Sequence, residues 1–176
     1  MTAGKPSLQM DMGLVRKLAT YFIRRPGNLF ARVYRDSARA IGNATWTAIP
    51  FSHQRWDTGE NADYPGFWVD TAPTRLTAVV SGNHIFTGHI EWAGHATGDR
   101  GIGIRHTRGA TVLYIARHMT RALSTAEITH PMSIGTEYWL RKGDYVELMV
   151  YQTSGGNLNI NATLNYSPEF TITRVP

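Results

Sequence analysis

The sequence predicts an almost all-β protein, a ten-stranded jelly-roll sandwich preceded by a short amphipathic helix. Three observations carry that expectation. About ten short β-rich runs recur at regular spacing after Gly27, turn residues fall between them, and helical periodicity is confined to the N-terminal region.

Residues 1–10 are polar, contain Gly4 and Pro6, and read as an arm. From Met12 to Arg25 the apolar residues Met12, Val15, Leu18, Ala19, Phe22 and Ile23 recur at three- and four-residue spacing, which predicts a helix. Asp11 stands at its N-cap, and Arg24 and Arg25 sit where cations favour a helix C-terminus. Pro26-Gly27 ends it. At about 1.5 Å per residue the rod is about 20 Å long, too short to persist alone. It packs either on its own domain or on a partner.

After Asn28 the pattern becomes strand-like. Residues 30–34 alternate, 45–51 are β-rich, and 52–66 form a long polar loop with two glycines and a proline. Further strands are expected at 75–80, 84–92, 101–108, 111–118, 127–141, 144–151, 158–164 and 170–175. The punctuation between them includes Ser81-Gly82-Asn83, Thr97-Gly98-Asp99, Arg108-Gly109, Lys142-Gly143-Asp144 and Ser154-Gly155-Gly156-Asn157. The chain thus divides into a basic arm and helix, 1–28, and a head domain, 29–176.

Composition narrows the function. The chain has no cysteine, so disulfides and Cys-ligated metals are excluded, in keeping with folding in a reducing cytosol. It has no uninterrupted apolar run of about 18 residues, hence no expected transmembrane helix. The first 30 residues also lack the pattern of a secretory signal. Residues 1–36 hold seven basic and two acidic groups, while the rest is balanced, so the whole formal charge of +5 lies in the N-terminal fifth. The basic pI therefore does not mark the head as a nucleic-acid binder.

Along 144–151, Val146, Leu148 and Val150 point to one face and Tyr145, Glu147, Met149 and Tyr151 to the other. The first face is a sandwich core. The second is too aromatic for open water, and is covered by a second subunit or by a loop.

Several segments together resemble the globular-head family shared by complement component C-one-q and the tumour necrosis factor ligands. They are Ala31-Arg-Val-Tyr34, Trp46-Thr, Arg55-Trp-Asp57, Pro73-Thr-Arg-Leu-Thr77, Ser81-Gly-Asn-His-Ile-Phe-Thr-Gly88 leading to Trp92-Ala, Gly143 through Gly156, and the closing Tyr166-Ser-Pro-Glu-Phe170. The similarity is greater still to the versions that end bacteriophage fibres and decorate virions. It implies a tight homotrimer about a three-fold axis, with Tyr145, Met149 and Tyr151 contributing to that axis. Two features depart from the family. No collagen-like or fibrous repeat precedes the head, and Ser167-Pro-Glu-Phe-Thr171 replaces the closing Phe-x-Gly-Phe pattern.

Catalytic and metal chemistry finds little support. His84 and His89 are five apart on one strand and face opposite sides, so they cannot share an ion. His53, His106, His118 and His130 fall on separate elements. The loop Asp57 to Asp63 gathers oxygen ligands that calcium accepts, without EF-hand spacing. Glu91 with Asp99, or Asp57 with Asp63, are the carboxylate pairs a glycosidase would need, and nothing places either pair at a working separation. No enzyme activity, cofactor or metal is expected.

Trp56, Tyr64, Phe67 and Trp68 crowd around the polar loop, and Trp56, Tyr64 and Trp68 offer rings that either stack on a sugar or cap the sandwich. The reading that results is a virion component, trimeric, held on a capsid or tail protein through Arg16, Lys17, Phe22, Arg24 and Arg25. The alternative is an adhesin for a host surface glycan. A basic amphipathic segment also suits an anionic lipid surface.

Overall fold

Alternation of side chains decides the architecture, and a computed structural model describes it for residues 29–176 except 59, 62, 63, 124, 126 and 164. The expected helix and its anchor residues Arg16, Lys17, Phe22, Arg24 and Arg25 lie outside the described residues. Fourteen strands are present among those described: β1 (Phe30–Tyr34), β2 (Arg39–Ile41), β3 (Thr47–Ala48), β4 (His53–Asp57), β5 (Glu60–Asn61), β6 (Tyr64–Pro65), β7 (Leu76–Thr77), β8 (Gly82–Trp92), β9 (Asp99–Arg108), β10 (Thr111–Arg121), β11 (His130–Leu140), β12 (Tyr145–Gln152), β13 (Leu158–Ile160) and β14 (Glu169–Arg174).

They build two facing antiparallel sheets. The larger has the order β4-β1-β14-β8-β11, and β13 then β2 continue from the Trp92 end of β8. The smaller has the order β10-β9-β12, with β7 and β3 sharing the far edge of β12. β5 and β6 form a separate two-stranded ribbon.

Between the sheets lies one apolar core. Ala31 and Val33 of β1, Phe86, Ile90 and Trp92 of β8, and Phe170 and Ile172 of β14 enter from one side. Ile102 and Ile104 of β9 meet them from the other, with Val146, Leu148 and Val150 of β12. Each such side chain stabilises the fold by about 1.5–3 kcal/mol relative to exposure. Gly88 belongs to this packing, because a Cβ there would stand 2.4 Å from Leu148 Cδ1. The glycine lets Leu148 settle against the backbone of β8.

The sequence missed β2, β4, β5 and β6. Residues 52–66, expected to be loop, contain three of these short strands. β4 is polar because it is the edge of its sheet, pairing only with β1, and His53, Gln54 and Trp56 face solvent. The expected strand at 45–51 shrinks to β3, and that at 158–164 stops at Ile160.

Candidate functional site

The outward side of the larger sheet is built by the odd residues of β8. His84, Phe86, Ile90 and Trp92 point inward, so Ile85, Thr87 and His89 point out. Register then fixes three rows across the sheet. One runs Glu137, Ile85, Thr173, Phe30; the next runs Gly135, Thr87, Thr171, Arg32, Trp56; the third runs Ser133, His89, Glu169, Tyr34, His53. The centre is low, because Gly135 has no side chain and the Thr87 and Thr171 hydroxyls bond to each other. Beside it stand Ile85, 44% exposed, and Trp139, 47% exposed and paired with Asn83. This gives an outer surface with two exposed apolar side chains, Ile85 next to the exposed Glu137 and Trp139 with Arg108 5.7 Å from its ring.

At the β4 end the same face becomes charged. Glu169, 1% exposed, is bonded by Arg32 from β1 and by Arg55 Nε at 2.6 Å from β4. Arg55 lies 4.4 Å above the Tyr34 ring and Arg32 5.5 Å from the Trp56 ring. His53 meets Asp36 at 2.9 Å. That bond, helped by the Ser52 hydroxyl, holds the Asp36 carboxyl below its ordinary value. Tyr34, Arg35, Asp36, Arg55, Thr163 and Glu169 help line a cavity of about 180 Å³. Sequence reasoning did not find this cluster, since only strand pairing joins Glu169 to Arg32 and Arg55.

Two of the three aromatics expected to bind a ligand, Trp56 and Trp68, take different places. Trp56 is 45% exposed, on the outer face against Phe30. Trp68 packs on the core and donates its Nε1–H to the Pro73 carbonyl at 3.3 Å, so it caps the sandwich. For Tyr64 only the strand position in β6, opposite Asn61, is described. Asp57 Oδ2 accepts the amides of Phe67 and Trp68 at 2.7 and 3.0 Å, which fixes the loop's return. Asp63 lies outside the described residues.

Tyr145, Met149 and Tyr151 do share the outer side of the smaller sheet, but the chain covers much of that side itself. Tyr145 carries Arg75 at 4.1 Å, and Tyr151 stacks on Trp46 with centroids 5.3 Å apart. Glu147 is bonded by Arg105 at 2.6 Å and Thr74 at 2.8 Å. Met149 is 1% exposed, so the expectation that it offers surface to a second subunit is corrected: its own chain buries it. Gly101 and Gly103 make room for this layer, since a Cβ at Gly101 would meet Met119 Sδ at 2.5 Å and Trp46 Cη2 at 3.0 Å. Tyr114, 5.2 Å from Trp46, lies over Gly103.

Several of the histidines and acids are held by bonds within the fold. His84 is buried in the core while His89 faces out toward Ser133, on opposite sides as alternation requires. Glu91 accepts from Thr129 at 2.6 Å and also from Thr163; these hydroxyls hold it below the usual carboxylate value, against burial. Asp99 lies 3.9 Å from Arg121. Asp144 accepts Arg108 at 2.7 Å, the Arg141 amide at 2.9 Å and His106 at 3.3 Å. Burial pushes Asp144 upward, but Arg108, the Arg141 amide and His106 together outweigh it, and its carboxyl titrates below the ordinary value.

A depressed carboxyl stabilises the fold above its unfolded-state value, and that stabilisation is lost as pH falls through the folded-state value. The stability gap between the native protein and Asp144→Asn is therefore expected to be constant near neutrality and to close as pH drops below about 4. Urea unfolding at several pH values measures it, and a gap that widens in acid contradicts the assignment.

No protein-family model and no curated protein matches the sequence. Solved structures do match the fold. The chain is similar to murine APRIL at pH 5.0, with TM-score 0.62 and 8% identity over 85% of this chain and 100% of that one. It is similar to Eiger TNF from S. frugiperda, with TM-score 0.64 and 10% identity over 85% and 93%. The head is thus a tumour-necrosis-factor-type jelly roll. The expectation of a virus particle rests on the sequence resemblance alone.

Proposed function

We propose that the chain is a non-catalytic, homotrimeric head whose subunits meet on the outward side of the β4-β1-β14-β8-β11 sheet. The observation that carries this is the pair Ile85 and Trp139, exposed beside the low Thr87–Thr171 centre. Exposed Trp is enriched at interface hot spots, and a closed ring about an axis buries the same patch on every subunit. The fold type and the resemblance to trimeric heads support three copies. The solution mass by light scattering is expected to be three times the 19.7 kDa of one chain. A monomer across the micromolar range removes the reading.

Within that assembly the role we infer is structural, a knob seated on a larger virus particle by the basic residues of 1–28. Deleting residues 1–27 should leave the trimer intact and abolish attachment to particles. The adhesin reading draws on a different observation. Trp56 presents a half-exposed ring with Arg32 5.5 Å from it, an arrangement that suits stacking on a sugar. Binding on a glycan array that disappears in Trp56→Ala would favour it over the purely structural role.

A further inference from the structure

Period two places Arg100 on the same side of β9 as Ile102 and Ile104, inside the sandwich. The side chain is 1% exposed, and no described carboxylate forms an ion pair with it. Its Nη1 and Nη2 donate to the carbonyls of Asp99 and His95 at 2.9 and 3.0 Å, both in or beside its own loop, and its Nε has no acceptor. The guanidinium cannot shed its proton in a protein, so a whole positive charge is kept out of water, bonded to two carbonyl dipoles and drawn only at a distance by the Asp99 carboxylate. The Asp99 carboxylate is half exposed, with Arg121 nearby.

Arg100 does not stand alone. It pairs with Gln152 on β12, whose Nε2 donates to the Ile41 carbonyl at 3.0 Å. Ile41 of β2 pairs with Leu158 of β13, Ile160 of β13 pairs with Trp92, and Trp92 pairs with His130 of β11. These residues ring one end of the interior. Two further nitrogens of the ring, Trp92 Nε1 and His130 Nδ1, are also buried without partners. Burial first, then the Arg100 charge and that of His118, hold His130 below the usual imidazole value. A neutral ring still carries one N–H.

Buried polar groups without partners are rare in native proteins, and two such nitrogens beside a buried cation whose own Nε lacks an acceptor point to a negative partner. We propose that the end of the interior ringed by Arg100, His130 and Trp92 leaves space for, and binds, a small monovalent halide-type anion, with chloride as its ordinary occupant. Guanidinium Nε–H, indole N–H and the Nδ1–H tautomer of His130 supply its donors.

Crystals of the full chain grown in bromide test this directly. An anomalous peak within hydrogen-bonding distance of Arg100 Nε is expected, together with a thermal midpoint that rises and saturates as chloride replaces a bulky organic anion at constant ionic strength. Arg100→Gln should lose that dependence. Water in the space with no anomalous signal overturns the proposal, as does a midpoint indifferent to chloride. A peak without any midpoint response is an adventitious ion and also counts against it. Should Arg100→Gln fail to fold, the bromide crystal and the midpoint series on the native chain still decide.

Discussion

Replacing Gly98 with alanine is expected to lower stability by about 2–5 kcal/mol. Two costs combine. Gly98 has φ +81°, a left-handed conformation that costs an L-residue about 1–2 kcal/mol. A Cβ there would also stand 1.9 Å from the Thr153 carbonyl oxygen and 2.8 Å from its Oγ1, so the loop must shift at an overpacking cost of about 1–3 kcal/mol. The shift would strain the bonds that anchor the loop, the Asp99 amide donating to the Thr153 hydroxyl at 2.7 Å and the Ala122 amide to the Gly98 carbonyl at 2.9 Å. Gly143→Ala separates the two costs. Its φ is +89°, but nothing lies within 4 Å of the added carbon, so only the conformational cost of about 1–2 kcal/mol applies. Urea unfolding of both variants should rank them in that order. Equal losses would mean that the Ala93–Gly98 loop yields without cost.

Much of the fold is legible wherever local alternation suffices. β8, β9 and β12 announce themselves because one parity is apolar and their ends carry turn residues. The same rule marks Arg100, since it shares the parity of Ile102 and Ile104, although the sequence reading passed over it. The rest depends on contacts between distant residues. β4 looks like loop because an edge strand with open side chains is polar. The aromatic side of β12 that carries Met149 announces a cover in its local pattern, yet nothing local says whether a loop or a second subunit supplies it. Trp46, about a hundred residues earlier in sequence, completes the aromatic layer over it, and Gly101 and Gly103 are the signal that would have indicated such close packing. Likewise, Glu169 meets Arg32 and Arg55 only because β14, β1 and β4 are adjacent. Period two specifies faces, whereas what covers a face is a property of topology.

That distinction yields the second large effect. Ile85→Glu combined with Trp139→Glu is expected to convert the proposed trimer into a folded monomer at micromolar concentration. Both side chains are already exposed in the single chain, at 44% and 47%, so the substitutions leave the core untouched. In the assembly each loses about 1.5–3 kcal/mol of apolar burial and places a carboxylate where water is excluded. Every contact around the ring is affected, and each 1.4 kcal/mol lost per contact weakens association about tenfold. Tyr151→Ala supplies the contrast. Its ring stacks on Trp46 within one chain, so its loss should reduce unfolding stability by about 1–3 kcal/mol while subunit number stays the same. Light scattering and circular dichroism on both variants read the two properties separately. A trimer that survives the double substitution, or one that dissociates in Tyr151→Ala while the fold stays as stable as before, would move the interface to the smaller sheet.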